Sequence, residues 1–234
     1  GLVRQRLTAH CSRRTFFGFL LGFLLPIVPV TVHNWKVEHH FILITAHGGF
    51  NFYMGNHEGA TGYPVQIGGF RGEAGSLLAD ARTEAERIEG RKLSAAEFSG
   101  HWSRRAWNFI RTHPLAEIKL LGLKFLKFWN RVEYDDMRLL PMLRLGNVAF
   151  DSPLWPGFAL IGWLGLSGLV LARRCGLLKV ITVSGIIGVL GFFVTARYRL
   201  TFAPLLAVLG AIGITEILRI TWCRSHRLMA TCGQ

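Results

Sequence analysis

The C-terminal third of the chain holds three long apolar runs separated by small clusters of arginine, and few folds accept that pattern. Leu154 to Ala172, roughly Leu177 to Ala196, and Leu200 to Ile220 are each about long enough to cross a ~30 Å hydrocarbon core. A shorter run from Thr15 to Val32 contains Pro26 and Pro29, which membrane helices tolerate but which predict a kink. Of 234 residues 50% are hydrophobic and the mean hydropathy is +0.33, yet the net charge is +13. Such values coexist only where apolar and charged residues are segregated along the chain. One run alone could be the buried helix of a soluble protein; three so close together predict an all-α, polytopic membrane protein with about four transmembrane helices.

Arg4, Arg6, Arg13 and Arg14 ahead of the first run also describe a secretory signal. No small-x-small cleavage site follows, however; the sequence there reads Pro29-Val-Thr-Val-His-Asn34, and a retained helix is expected. The chain opens at Gly1 in a basic segment that would suit a loop between helices, so a preceding N-terminal portion is expected as well.

Charge sets the orientation. Arg4, Arg6, Arg13 and Arg14 precede the first run, Arg173, Arg174 and Lys179 separate the second from the third, and Arg219, Arg224 and Arg227 follow the fourth. With four helices all three groups fall on one side, which the positive-inside rule makes cytoplasmic. The expected division is a basic segment with the first transmembrane helix (1–33), an extracytoplasmic helical domain (34–152), and three transmembrane helices with a cytoplasmic tail (153–234). The setting implied is a multi-pass membrane protein with residues 34–152 extracytoplasmic. Between His33 and Ser152, 15 Lys+Arg stand against 13 Asp+Glu, while the rest of the chain holds 12 against 1. The basic excess therefore belongs to the membrane part and its loops, and a nucleic-acid partner is disfavoured. Cys11, Cys175, Cys223 and Cys232 all fall on or near the cytoplasmic side, so no disulfide framework is implied.

The outer segment has its own organisation. Phe41 to Ala46 suits a short strand or an extended entry, and a glycine-rich, aromatic loop is expected from Gly48 to Gly75. Leu77, Ala81, Ala85 and Ile88 recur at helical spacing. Ser94-Ala-Ala-Glu97 is a capping-box pattern opening a helix whose apolar face is Phe98, Trp102, Ala106, Phe109 and Ile110. His113-Pro114 ends that helix, and Pro114 suits the first turn of another. This next helix, about Pro114 to Arg131, is apolar around most of its circumference, with Lys124, Lys127 and Arg131 on one stripe. It resembles an interfacial helix with its lysines toward lipid headgroups; a buried helix with snorkelling lysines is the alternative.

The densest chemical signal is His47-Gly-Gly-Phe-Asn-Phe-Tyr-Met-Gly-Asn56. Its glycines allow close backbone approach, while Asn51, Tyr53 and Asn56 offer donors and acceptors beside aromatic faces, a combination suited to a sugar. A connecting Asn/Gly turn is equally compatible. No Lys-Ser/Thr follows the glycines, so a nucleotide P-loop is unsupported. His39, His40, His47 and His57 match no zinc spacing. Glu133, Asp135 and Asp136 could bind a divalent cation or orient a hydroxyl, or form a solvated acidic turn. Glu216 beside Arg219 suits an interfacial ion pair rather than a proton relay.

The Gly48-to-Asn56 string resembles one that follows a mid-protein helix in bacterial integral-membrane glycosyltransferases of the GT-C class, relatives of the protein O-mannosyltransferases and of the aminoarabinose transferase of lipid A. The order that follows is similar too: a Trp- and Arg-rich helix ending in His113-Pro114, then Lys124-Phe-Leu-Lys-Phe-Trp-Asn130 and Glu133, then Ala196-Arg-Tyr-Arg-Leu200 opening an apolar helix with Pro204 inside it. The resemblance runs from about Asn34 to Ile220 and rests on the order and spacing of short motifs. It implies transfer of a sugar from a polyprenyl-phosphate donor to an acceptor at the outer face, with inversion and without a nucleotide sugar. The general base is then expected in an early outer loop ahead of this chain.

Within that resemblance Arg197 and Arg199 acquire a role. A guanidinium presents a planar fork to phosphate and keeps its charge, so one of the pair is expected to hold the lipid phosphate as the sugar leaves. Side chains two apart on a helix diverge, so one alone would serve; the alternative is that both snorkel to ordinary headgroups. The expected binding set is Arg197, Arg199, Asn51, Tyr53, Asn56 and Glu133, with polyprenyl-phosphate-linked sugar and membrane lipids as partners. A non-catalytic membrane subunit that binds lipid phosphate is the alternative. A transporter is disfavoured, because Glu216 is the one carboxylate in the apolar runs.

Overall fold

The computed structural model describes residues 13–40, 42–45, 47–64, 74–131, 134, 157–172 and 175–231. The expectations placed on Glu133, Asp135, Asp136 and the start of the run at Leu154 lie outside them. The described residues are mostly helical and contain no strand, including 42–45. The first apolar run is divided into α1 (Arg13–Leu24) and α2 (Ile27–Glu38). Pro26, which has no amide hydrogen to continue the ladder, marks the break, whereas Pro29 sits in the first turn of α2, where that hydrogen is not needed.

The expected glycine-rich loop is helical at its start: α3 spans Gly48–Gly55. Its glycines serve close packing rather than turns. A Cβ on Gly49 would lie 1.8 Å from the Ser99 carbonyl oxygen, and one on Gly55 would lie 1.9 Å from that of Phe192. Helical spacing then yields α4 (Ala74–Glu89) and α5 (Ala95–Thr112). The capping box forms as the sequence predicts: Ser94 Oγ accepts from the Glu97 amide at 3.3 Å, and Glu97 Oε2 accepts from the Ser94 amide at 2.9 Å. Pro114 opens α6 (Pro114–Trp129). Phe50, Met54, Ala81, Ala85, Phe98 and Trp102 join α3, α4 and α5 in one core, which Phe193 completes from the distant C-terminal part.

The later elements are α7 (Phe158–Leu171), α8 (Gly176–Gly191), the short α9 (Ala196–Leu200) and α10 (Ala203–Thr231). Within α10, Ala203–Trp222 is long and apolar enough to cross a membrane. As described, α7 and α8 are apolar but shorter than that, at 14 and 16 residues. Small residues bring α7 and α10 together: Gly165 meets Leu206, Gly168 meets Leu209, and Gly213 meets Ser167 and Gly168. Position numbers rise together along both helices, so α7 and α10 run parallel and α8 returns between their ends. Close backbone approach over small residues is how helices gain dispersion contacts where lipid and side chain are equally apolar.

The orientation of α6 departs from expectation. Lys124 is fully buried and Lys127 half-buried, both facing the protein, whereas Leu115, Ile118, Phe125 and Leu126 face outward. The lysine stripe is not turned to headgroups, because each ammonium has protein oxygen to meet. Lys124 Nζ donates to Asn56 Oδ1, and Lys127 Nζ donates to the Thr61 carbonyl and lies 3.8 Å from the Tyr63 ring centre. Gly62, at φ +84°, lets the 56–64 segment pass against α6, with its Cβ position 3.1 Å from Lys124 Cγ.

Candidate functional site

Two polar assemblies stand out, one at the junction between the α3–α6 unit and the C-terminal helices and one within the α3–α5 unit. The first surrounds the turn from Gly191 to Arg199. Asn56, at the end of α3, is buried and donates through Nδ2 to the carbonyls of Phe52 (2.8 Å) and Gly191 (2.9 Å). Its Oδ1 accepts from Lys124 Nζ at 2.7 Å, and Glu117 Oε1 lies 3.9 Å from the same ammonium. Burial lowers the Lys124 pKa to about 8 and raises that of Glu117. The turn is also stitched by its backbone, Val194 donating to Gly62 at 2.8 Å and Ala196 to Tyr134 at 2.9 Å.

The two arginines of the Ala196–Leu200 stretch part company here. Arg199 is buried, and its Nη1 reaches the carbonyls of Lys127 (3.1 Å), Phe128 (3.3 Å) and Asn130 (2.9 Å) and Oδ1 of Asn130 (3.1 Å). Its guanidinium carbon lies 4.7 Å from the Phe158 ring centre. Carbonyls at a helix C-terminus lack intrahelical donors and carry negative partial charge, so Arg199 closes α6. Arg197 is exposed, with its guanidinium 5.1 Å from the Tyr198 ring centre. Thr195 caps α9 by accepting from the Tyr198 amide.

The second assembly is a cleft of about 450 Å³ between α5, the end of α3 and the end of α4. His101, Arg105, Asn108 and Thr112, spaced at four, three and four residues, place one polar stripe of α5 along it. Tyr53, His57, Glu58 and Glu89 also line it. Glu89 Oε1 accepts from His101 Nδ1 at 2.7 Å and lies 3.4 Å from Arg104, and the bond from His101 holds the Glu89 carboxyl below its usual range. Burial pushes His57 below the ordinary imidazole value, although its ring donates to the Tyr53 carbonyl at 2.9 Å. Arg105 is exposed and lies over two rings, 5.5 Å from the centre of Tyr53 and 5.3 Å from that of Trp102.

Of the expected binding residues, Tyr53 lines this cleft and Arg197 is at the surface. Asn56 and Arg199 are buried in hydrogen bonds to the chain itself. Asn51 is half-buried on α3 and outside the cleft lining, and Glu133 lies outside the described residues. Among the described residues no three His, Cys, Asp or Glu side chains gather closely enough to hold a metal ion. The polar stripe on α5 is not among the expected site residues; its helical spacing beside Phe98, Trp102 and Ala106 was the available signal. Comparison with protein-family models, curated proteins and solved structures finds no match.

Proposed function

We propose that this chain is the membrane-embedded part of a glycosyltransferase that moves a sugar from a polyprenyl-phosphate donor to an acceptor at the outer membrane face. The observation that carries this reading is the placement of Tyr53. The Gly48–Asn56 string, whose resemblance suggested the class, delivers that ring to a cleft that mixes aromatic faces with both donors and acceptors, as sugar recognition requires. The parallel run of α7 and α10, with α8 returning, supports an up-and-down arrangement of the three C-terminal apolar helices. The outward apolar face of α6 supports its lying in the lipid boundary. Arg197, exposed at the foot of the last apolar helix, is the arginine of the pair that faces the surroundings, where a lipid phosphate would lie.

The test is binding of a labelled polyprenyl-phosphate sugar by the chain in nanodiscs, with transfer followed in the product of the complete gene. Saturable binding that nucleotide sugars do not displace, weakened by Arg197→Ala with folding intact, is the expected result. Absence of both binding and transfer overturns the proposal. Binding without transfer by the complete product replaces it with a lipid-phosphate-binding subunit.

A further inference from the structure

The cleft along α5 has the dimensions and chemistry of a second ligand site, distinct from the arginine at the foot of the last helix. From His101 to Thr112 the stripe runs ~16 Å, at 1.5 Å per residue. That is room for two or three pyranose rings. Its charges divide into committed and uncommitted ones. Glu89 is engaged by His101 and Arg104, whereas among the described residues no carboxylate lies within ion-pair distance of Arg105 or cation within that distance of Glu58. The Arg105 guanidinium lies within cation–π reach of Tyr53 and Trp102, which holds it over the cleft, and the side chain is exposed to solvent. A fork held in this way matches the two oxygens of a carboxylate or phosphate.

The neighbours of Arg105 ask for hydroxyls rather than more charge. The Asn108 side-chain amide, one turn along the stripe, forms no bond within the described residues and offers both donor and acceptor. His101 is buried, and with Nδ1 given to Glu89 its Nε2 has no hydrogen-bond partner there. His101 is thus held by Glu89 at the inner wall of the cleft. The Phe109 ring, with His113 stacked on it at 5.6 Å, supplies an apolar wall.

We propose that this cleft binds a saccharide bearing an anionic group, with Arg105 holding the carboxylate or phosphate and Asn108 the sugar hydroxyls. The saccharide part rests on the glycosyl-transfer reading above; the charge part stands on Arg105 alone. Glu58, the uncommitted acid of the cleft, then sets the limit on how much negative charge the ligand carries.

The experiment is calorimetric titration of the full chain in nanodiscs with glucuronate and glucose 1-phosphate as probes, against glucose and inorganic phosphate. The expected result is saturable binding of at least one charged sugar, about tenfold or more tighter than glucose and inorganic phosphate. Arg105→Gln and Asn108→Ala weaken it about tenfold and several-fold respectively, without change in melting temperature, and Glu58→Gln tightens it. The stronger of the two probes identifies the anionic group. Three results overturn the proposal: no saturable binding by folded protein, binding indifferent to Arg105→Gln, or inorganic phosphate binding as well as glucose 1-phosphate with Asn108→Ala silent. Polyprenyl-phosphate binding measured on the same preparation separates the two proposals. Its loss with sugar binding retained removes the donor reading and keeps the cleft, and the converse removes the cleft alone.

Discussion

Replacing Arg199 by alanine removes the group that closes α6. One guanidinium nitrogen carries two hydrogens, so the four contacts of Nη1, at 2.9 to 3.3 Å, amount to about two full hydrogen bonds shared among three carbonyls and the Asn130 side chain. Hydrogen bonds to a charged group contribute ~1.5–3 kcal/mol each, and a cation at a partly buried helix C-terminus adds up to ~2 kcal/mol. The desolvation of a buried guanidinium offsets part of this sum. A net loss of ~3–5 kcal/mol follows, or a melting temperature lower by roughly 10 °C in a chain of this size. Arg199→Lys keeps the charge but loses the fork and the stacking on Phe158, and falls about midway. Arg197→Ala, at the surface, stays within ~0.5 kcal/mol of the parent.

Thermal unfolding of the three variants in one detergent, followed by circular dichroism at 222 nm, decides the matter. The order parent, Arg199→Lys, Arg199→Ala, with Arg197→Ala beside the parent, is the expected one. If Arg199→Ala melts within about 1 °C of the parent, the guanidinium is not holding the α6 terminus, and its role as a phosphate ligand regains its standing.

Lys124 gives stability a pH dependence. Its folded pKa of about 8 lies below the ordinary lysine value of 10.5, so between those values the unfolded chain keeps a proton that the folded one has released. Stability therefore rises with pH across that window, by up to ~3 kcal/mol, and denaturant unfolding at pH 7.5 and 10 should show the rise in the parent and its loss in Lys124→Gln. Glu117, shifted upward, contributes a fall with rising pH that begins at acid pH. The glycines separate by what surrounds them. Gly49→Ala meets the Ser99 carbonyl and should cost ~1–3 kcal/mol or more by overpacking, whereas Gly122→Ala, in open space within α6, should stabilise by ~0.5–1 kcal/mol. Equal melting temperatures for these two variants would refute the close α3–α5 approach.

What the sequence made legible was local. The capping box at Ser94, the break at Pro26 and the start at Pro114 each depend on a few adjacent residues, and each lies where its pattern puts it. What it concealed depends on partners far along the chain. Lys124 reads as a headgroup contact until Asn56, 68 positions away, is brought against it. Arg199 reads as a phosphate ligand until its carbonyl partners arrive from 69 to 72 positions away. Glycine reads as a turn because its lack of a side chain is visible in sequence, while the carbonyl it must clear is not. The apolar runs and the helices differ in extent for a related reason. Hydropathy counts apolar residues in a row, but α7 and α8 begin or end inside their runs, and α8 stops at Gly191, where the turn to α9 is fixed by side-chain and backbone hydrogen bonds.

The Gly48–Asn56 string takes on a different meaning once packed. Gly49 admits α5, Gly55 admits the Phe192 backbone, and Asn56 spans from Phe52 to Gly191 while accepting from Lys124. Much of its pattern is thus explained by docking the α3–α6 unit onto the turn that carries Arg197, while Tyr53 lines the cleft. The proposed ligand contact at Tyr53 therefore stands three positions from Asn56, which ends the same helix. A ligand that orders Tyr53 and the stacked Arg105 acts on the same rigid element that grips Gly191. The geometry at Arg197 is in turn set by that turn, through the hydrogen bonds of Val194 and Ala196. The cleft and the exposed arginine are linked through Asn56, Gly191 and the hydrogen bonds of Val194 and Ala196. A saccharide in the cleft and a lipid phosphate at Arg197 should accordingly affect each other's affinity reciprocally.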